Sequence, residues 1–417
     1  MAIVDAVLER KLEQLTLPLA VVLPDGRRVG ARDAAVTIRL KQLSSLIHIA
    51  AGEVGKVAQD YVEDRLDFSG SVRDLMQIAS QLIATDPTQD LGGGATLGWW
   101  REIRLNARSR ARHHAQADAE QVQFHYDVSD AFYELWLDPL RLYSCAYFRE
   151  PSMTLAQAQQ AKLDHICRKL MLRSGERFLD IGAGWGGLLM WAAEHYGVRG
   201  HGITLSRNQH DHVNKLIEAR GLSGRVTMEL RDYRDLPETE PYDKIASIGM
   251  FEHVGRAQLP EYFAKIHRLL KPGGLLMNHG ITAGGTRNHQ LGAGMGDFIE
   301  KYIFPGGELV HVSKVTEVMS EAQFEPLDLE NLRPHYARTL WAWSDALEAR
   351  LEQARGLTSE GVVRAYRLYL AGSAMGFEQG WMALFQMLAA KPSGVIAGGA
   401  MRGAQSEFPF NREYMYR

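Results

Sequence analysis

The stretch Phe178-Leu-Asp-Ile-Gly-Ala-Gly-Trp-Gly-Gly-Leu188 constrains this chain most, because an apolar β-like run feeds a glycine-rich turn that opens onto an apolar helical pattern. In that setting the main chain can cradle a nucleotide cofactor: glycines let it approach the ligand, and a helix start aims free N–H groups at it. Gly182 and Gly184 are the positions expected to pass beneath the ligand. The next strand, Arg199-Gly-His-Gly-Ile-Thr-Leu205, ends near Thr204 without the acidic residue that a nicotinamide site places about 20 residues on to bind the ribose. A dinucleotide is thereby disfavoured. Asp180, at the tip of the first strand, instead suits a cofactor with a cationic amino-acid end, and S-adenosyl-L-methionine carries an ammonium and a sulfonium. The expected fold is α/β, a Rossmann-like S-adenosylmethionine methyltransferase; the alternative is a glycine turn with a structural role only.

At 417 residues and 46% hydrophobic, the chain can bury a large core and has room for two domains. No apolar run approaches the ~18 residues of a membrane span and the N-terminus lacks a continuous apolar signal core, so a soluble cytoplasmic protein is expected. Cys145 and Cys167 are too few for a disulfide framework or a cysteine zinc site. A formal charge of −3 gives no global drive toward nucleic acid, and no base-flipping Asn/Asp-Pro-Pro-Tyr motif occurs.

Three segments are expected. Residues 1–90 read as a small α+β N-terminal domain, expected to associate with lipid or membrane, with a hairpin at Val21–Val29 and helical stretches around 42–62 and 71–85; no catalytic constellation is visible there. Residues 91–119 form a basic linker in which Trp99 and Trp100 precede Arg101, Arg104, Arg108, Arg110 and Arg112. That run is either a solvated helix surface or a dock for anionic phospholipid heads. Residues 120–417 form the catalytic domain, with strands predicted at 177–181, 199–204, 225–230, 243–248 and 274–281 and helices at 155–171, 186–196, 207–219 and 258–270. The tail 360–390, rich in aromatics and methionines, is predicted helical.

Several clusters together resemble one family: Tyr143-Ser-Cys-Ala-Tyr-Phe148, Asp180-Ile-Gly-Ala-Gly-Trp-Gly-Gly187, Asp232-Tyr-Arg-Asp-Leu236, Ser247-Ile-Gly-Met-Phe-Glu-His-Val-Gly255 and Lys301-Tyr-Ile-Phe-Pro-Gly306. They resemble the cyclopropane-fatty-acyl-phospholipid synthases and their mycolic-acid relatives over about 120–390, and more loosely over 1–90 through Asp60-Tyr-Val-Glu-Asp-Arg-Leu-Asp-Phe68. The resemblance implies transfer of a methylene unit from S-adenosyl-L-methionine to a cis double bond in a phospholipid acyl chain, with the resulting carbocation deprotonated by a bound bicarbonate. It implies a bicarbonate cradle at Cys145, Glu252, His279, the backbone of Ile281, and Tyr336. Tyr143 and Ser144 would meet the methionine end of the cofactor. Thr204, Leu205 and Gln209 would take its ribose and adenine side, Asp232 and Tyr233 would border adenine, and Ile248 would line its face. Tyr147, Phe148, Tyr302 and Phe304 would offer π faces to the cation or simply wall the acyl tunnel.

Without the resemblance, these residues are not equally eloquent. Glu252 follows an apolar strand at the carboxyl end where open α/β sheets place ligands, and a carboxylate there is expensive unless partnered. His279 is read as ending the next strand, where it could donate to bicarbonate and hold Glu252. Cys145 alone reads as a small buried hydrophobe, and Tyr336 as a packing tyrosine. Departures from the family pattern are Asp130, Ala183, Phe298 and Gly376-Phe-Glu-Gln-Gly380, the last where arginines are frequent. The expected partner is an unsaturated phospholipid met by peripheral association with the cytoplasmic face of the membrane, with oligomeric state open and a homodimer among the readings. The alternative activity is a C-methyltransferase giving a methyl- or methylene-branched chain; a lipid carrier with a vestigial fold is the reading from a different class.

Overall fold

The computed structural model describes residues 18–83, 87–88, 129–286, 291–393 and 408–416, together with residues 12 and 109. Trp99, Trp100 and the arginines at 101, 104, 108, 110 and 112 lie outside the described residues. Four short strands form a first sheet: β1 (Leu19–Val22), β2 (Arg28–Gly30), β3 (Val36–Leu40) and β4 (Leu66–Ser69), in the order β2-β1-β3-β4. In β3, buried Val36, Ile38 and Leu40 alternate with Thr37 and Arg39, the period of a strand with one face on a core. Against that core lie the helices Ser44–Ala51, Val54–Val62 and Val72–Leu82. The helical stretch expected over 42–62 is thus two helices. The first closes at Gly52, whose N–H returns to the Ile49 carbonyl.

The large sheet contains β5 (Arg177–Ile181), β6 (Arg199–Thr204), β7 (Val226–Leu230), β8 (Tyr242–Ile248), β9 (Leu270–Ala283), β10 (Glu325–Asn331) and β11 (Met382–Ala390), ordered β10-β11-β9-β8-β5-β6-β7. From β9 to β7 neighbouring strands are parallel, joined by helices such as Gly187–Tyr196, Arg207–Ala219 and Leu259–Leu269. The chain runs from β5 outward through β6 and β7, then returns to place β8 on the other side of β5. That reversal opens a crevice beyond the carboxyl ends of β5 and β8, where sheets of this kind bind ligands.

The tail departs from its predicted helix. Glu360–Glu378 is helical, but Met382–Ala390 is a strand, antiparallel to both β9 and β10. Its sequence, apolar except for Gln386, carries no polar alternation because both faces are covered, and such a run does not tell a buried strand from a buried helix.

The N-terminal unit is tied to the large one by named contacts. Arg73 pairs with Asp345 at 2.6 Å, Lys301 with Glu63 at 2.7 Å, and the Gly55 N–H donates to the Ala293 carbonyl at 2.9 Å. Among the described residues, no helix is long and apolar enough to cross a membrane.

Candidate active site

The glycine loop leaves β5 into a cavity of about 150 Å³ at the crevice. Every expected cofactor residue lines it: Tyr143, Ser144, Asp180, Gly182, Gly184, Thr204, Leu205, Gln209, Asp232, Tyr233 and Ile248. Gly184 has φ +56°, a conformation that L side chains avoid, and a Cβ placed there would meet no protein atom within 4 Å. The loop therefore leaves free space beside its backbone. Asp180, 2% exposed, has a buried Oδ1 with no hydrogen-bond partner among the described residues, and burial pushes its carboxyl up to about 7 against the pull of Lys162. Thr204 donates to Gln209 Oε1 at 2.8 Å, while Gln209 Nε2 is buried with no partner among the described residues. Asp232 is already engaged, holding the guanidinium of Arg234 at 2.6 Å.

Among the lining residues that the motifs do not single out, Lys162 is charged and enclosed. Carried on the helix Leu155–Lys169, it donates to Ser144 Oγ at 2.7 Å and has its ammonium pushed down to about 8 by burial. Its helix buries Gln159, Lys162, His165 and Lys169 on adjoining turns, polar residues that a pattern reader assigns to solvent.

A second, apolar cavity of about 230 Å³ adjoins the first, and Tyr143, Ser144, Gly249 and His253 line both. Its wall brings together Cys145, Glu252, His279, Ile281 and Tyr336, residues scattered over nearly 200 positions of sequence. β8 runs into a short helical turn at Phe251–His253 that turns Glu252 back toward β9, where its Oε1 accepts the Ile281 N–H at 2.6 Å. Gly280 makes this approach feasible, since a Cβ there would lie 2.8 Å from Glu252 Oε1 and closer still to the Phe251 ring. Glu252 is 7% exposed, its Oε2 has no partner among the described residues, and burial pushes its carboxyl up to about 7.

His279 departs from its expected place. It sits inside β9, paired in register with Ile248 of β8 and Gln386 of β11, and makes no hydrogen bond to Glu252. Both ring nitrogens are buried without a partner among the described residues, and burial, reinforced by Lys162, pushes the ring down to about 3, so it is neutral. Cys145 donates to the Ala146 carbonyl at 3.2 Å, and burial raises its thiol far above the usual range, which fits an uncharged lining group rather than a nucleophile.

Of the aromatics proposed to face the reacting centre, only Phe304 lines the cavity. Tyr147 stacks between His165 and His335, Phe148 lies under the Arg338 guanidinium, and Tyr302 donates to Glu63. Phe298, Tyr369 and Phe377 stand in the wall instead. Val54, Ala58, Met76 and Ala79 also reach it from the N-terminal unit, which the sequence reading had left without a role in the site.

Residues 113–387 match the family described as mycolic acid cyclopropane synthetase. The chain belongs to this family. A probable fatty acid methyltransferase of Pseudomonas putida is 42% identical over 410 residues, covering 97% of this chain and 98% of its own. Cyclopropane mycolic acid synthase 1 of Mycobacterium tuberculosis H37Rv is 42% identical over 280 residues, 65% of this chain and 96% of its own. The crystal structure of a mycolic acid cyclopropane synthase, CmaA1, complexed with SAH and CTAB superposes with a TM-score of 0.61 at 39% identity, over 66% of this chain and 98% of that one. The large sheet with its glycine loop is accordingly the Rossmann-like methyltransferase fold. The Mycobacterium tuberculosis relative and the CmaA1 structure each correspond to about two thirds of this chain, whereas the Pseudomonas relative matches nearly all of it.

Proposed function

We propose that this family member transfers a methylene unit from S-adenosyl-L-methionine to a cis double bond of an unsaturated phospholipid acyl chain, with bicarbonate as the base. The observation that carries this reading is the shared wall of Tyr143, Ser144, Gly249 and His253, which brings the cavity lined by the expected cofactor residues against a more strongly apolar one. The cofactor fits the residues present: the orphaned Asp180 Oδ1 suits an ammonium, Gln209 Nε2 offers a free donor, and the space beside Gly184 admits the ligand. A small oxyanion fits the second set, where Glu252 Oε2 and both His279 nitrogens are buried and unmet. When bound, the two groups supply the methyl and the base. The chain supplies the rest. Neutral His279 has one N–H to donate, Glu252 accepts or holds a proton near neutrality, and the apolar wall keeps water from the reacting carbons.

A second reading is supported by the name of the Pseudomonas relative: a fatty acyl C-methyltransferase giving a branched chain. The test is incubation with S-adenosylmethionine and vesicles of unsaturated phosphatidylglycerol. Mass spectrometry reads the gain of one CH2, and proton NMR separates a cyclopropane from a branch. Ring protons are expected; a branched product transfers the assignment to the second reading, and no transfer to any unsaturated lipid overturns both. The proposal includes a division into 1–90, 91–119 and 120–417 and peripheral docking through the arginine-rich linker, read in the same vesicles as sedimentation that weakens with salt.

Asp180 gives this reading a pH signature. Its carboxyl titrates near 7 in the free protein, and a bound ammonium favours the ionised form, so binding releases a proton below that pH. Affinity for S-adenosylhomocysteine, which keeps the ammonium, is expected to rise by up to about tenfold per pH unit toward 7 and then level off. Calorimetric titration of the wild type and Asp180→Asn checks this: the slope should vanish in the variant, and a flat wild-type profile removes the ammonium contact.

A further inference from the structure

The apolar cavity does not stop at the large sheet. Val54, Ala58, Met76, Ala79 and Leu368 line it and also line a third cavity, of about 70 Å³. The third cavity lies inside the N-terminal unit, walled by Ile38 of β3 and by Ile49, Leu66 and Ile78, each at most 3% exposed. Among the described residues no Lys, Arg, Asp or Glu lines it, and the one imidazole in its wall, His48, is turned to Asp60 at 2.8 Å. Residues of this unit such as Val72 and Met76 share one apolar core with Leu368, Tyr366 and Trp343 of the large unit, and Arg73–Asp345, Lys301–Glu63 and the Gly55–Ala293 hydrogen bond also join the two.

We infer that the interior of the N-terminal unit receives the methyl-terminal segment of the acyl chain, making this unit a gauge of chain length beyond the double bond. The inference rests on the proposed function. The reacting carbons must lie where the cofactor cavity meets the apolar one, at Tyr143, Ser144, Gly249 and His253. From there one end of the chain leads to a phosphate headgroup, which needs water or cations, and the other is bare hydrocarbon. A dry lining without charge accepts only the second. Each methylene that enters exchanges bilayer hydrocarbon for the apolar wall, so discrimination by length comes from how well the chain fills the cavity and not from transfer out of water.

Two measurements test the inference. The first uses the wild-type chain and needs no turnover: phosphatidylglycerol carrying a cis-unsaturated chain with a diazirine at its methyl terminus is photolysed on the protein, and the labelled peptides are mapped. Label within residues 38–82 or at Leu368 is expected, and label confined to other residues overturns the inference. The second compares kcat/KM on myristoleoyl, palmitoleoyl and oleoyl chains, which share the distance from carbonyl to double bond and differ only beyond it. The wild type should discriminate among the three lengths, with kcat/KM differing severalfold between the chain that fills the cavity and those that underfill or overfill it. Ala79→Phe, which fills the shared wall, should level the series while leaving affinity for S-adenosylhomocysteine unchanged. Should that variant fail to fold, Leu75→Trp, which projects only into the third cavity, takes its place. An unaltered length series in a folded variant overturns the inference. If the wild type converts none of the three lipids, the proposed function falls, while the crosslink still decides whether a lipid tail enters.

Discussion

Gly184→Val is expected to abolish binding of S-adenosylhomocysteine while leaving a folded protein. Two effects act together. The backbone at Gly184 has φ +56°, which a β-branched residue strongly resists, so the loop must shift or carry strain of about 1–3 kcal/mol. An unshifted loop would not rescue the ligand, because the space into which the new side chain projects is empty of protein atoms and belongs to the cofactor cavity. Gly184→Ala separates the two effects, adding one methyl with less backbone conflict, and should retain weakened binding. Calorimetric titration, with circular dichroism to establish folding, reads both variants. Unchanged affinity in folded Gly184→Val would remove this loop from the cofactor site.

The central sheet was legible because its signals are local. An apolar run, glycines at a turn and a helical period follow one another directly over 178–188, and the predicted strand 177–181 coincides with β5. Where a residue's meaning depends on what the rest of the chain packs against it, the sequence was silent or misleading. Lys162 looks like a surface lysine until Ser144 is brought to its ammonium at 2.7 Å. Met382–Ala390 looks helical until β9 and β10 enclose it from either side. Val54, Ala58, Met76 and Ala79 are unremarkable positions on two short helices, and only docking across Gly55–Ala293 turns them into a wall of the apolar cavity. His279 was identified through the family motif, yet its placement inside β9, unbonded to Glu252, follows from a register that no single-strand pattern specifies.

The family motif also singled out Glu252, and the structure gives its substitution a distinctive signature. Glu252→Gln should lower turnover on unsaturated phospholipid by ~10² or more, the scale of a displaced proton-transfer partner. The amide oxygen can still accept the Ile281 N–H, so the turn at Phe251–His253 should keep its geometry. What is lost is an acceptor and a titratable proton at the unmet Oε2. Affinity for S-adenosylhomocysteine should change little, because Glu252 lines only the apolar cavity. Stability gives an independent sign. Burial raises the folded-state carboxyl from 4.5 to about 7, so between those values the folded protein holds more protons than the unfolded chain. This group therefore costs no stability below pH 4.5, costs progressively more as pH rises toward 7, and a constant amount above. The variant has no such cost. Its melting temperature relative to wild type should climb across that window, even as its activity falls. If the proton acceptor is what has been disturbed, the residual product should contain alkene or alcohol formed when the cation escapes by another route. Lipid mass spectrometry, titration with S-adenosylhomocysteine and melting curves across the window check these expectations, and near-normal cyclopropane formation by Glu252→Gln would remove this carboxylate from the proton path.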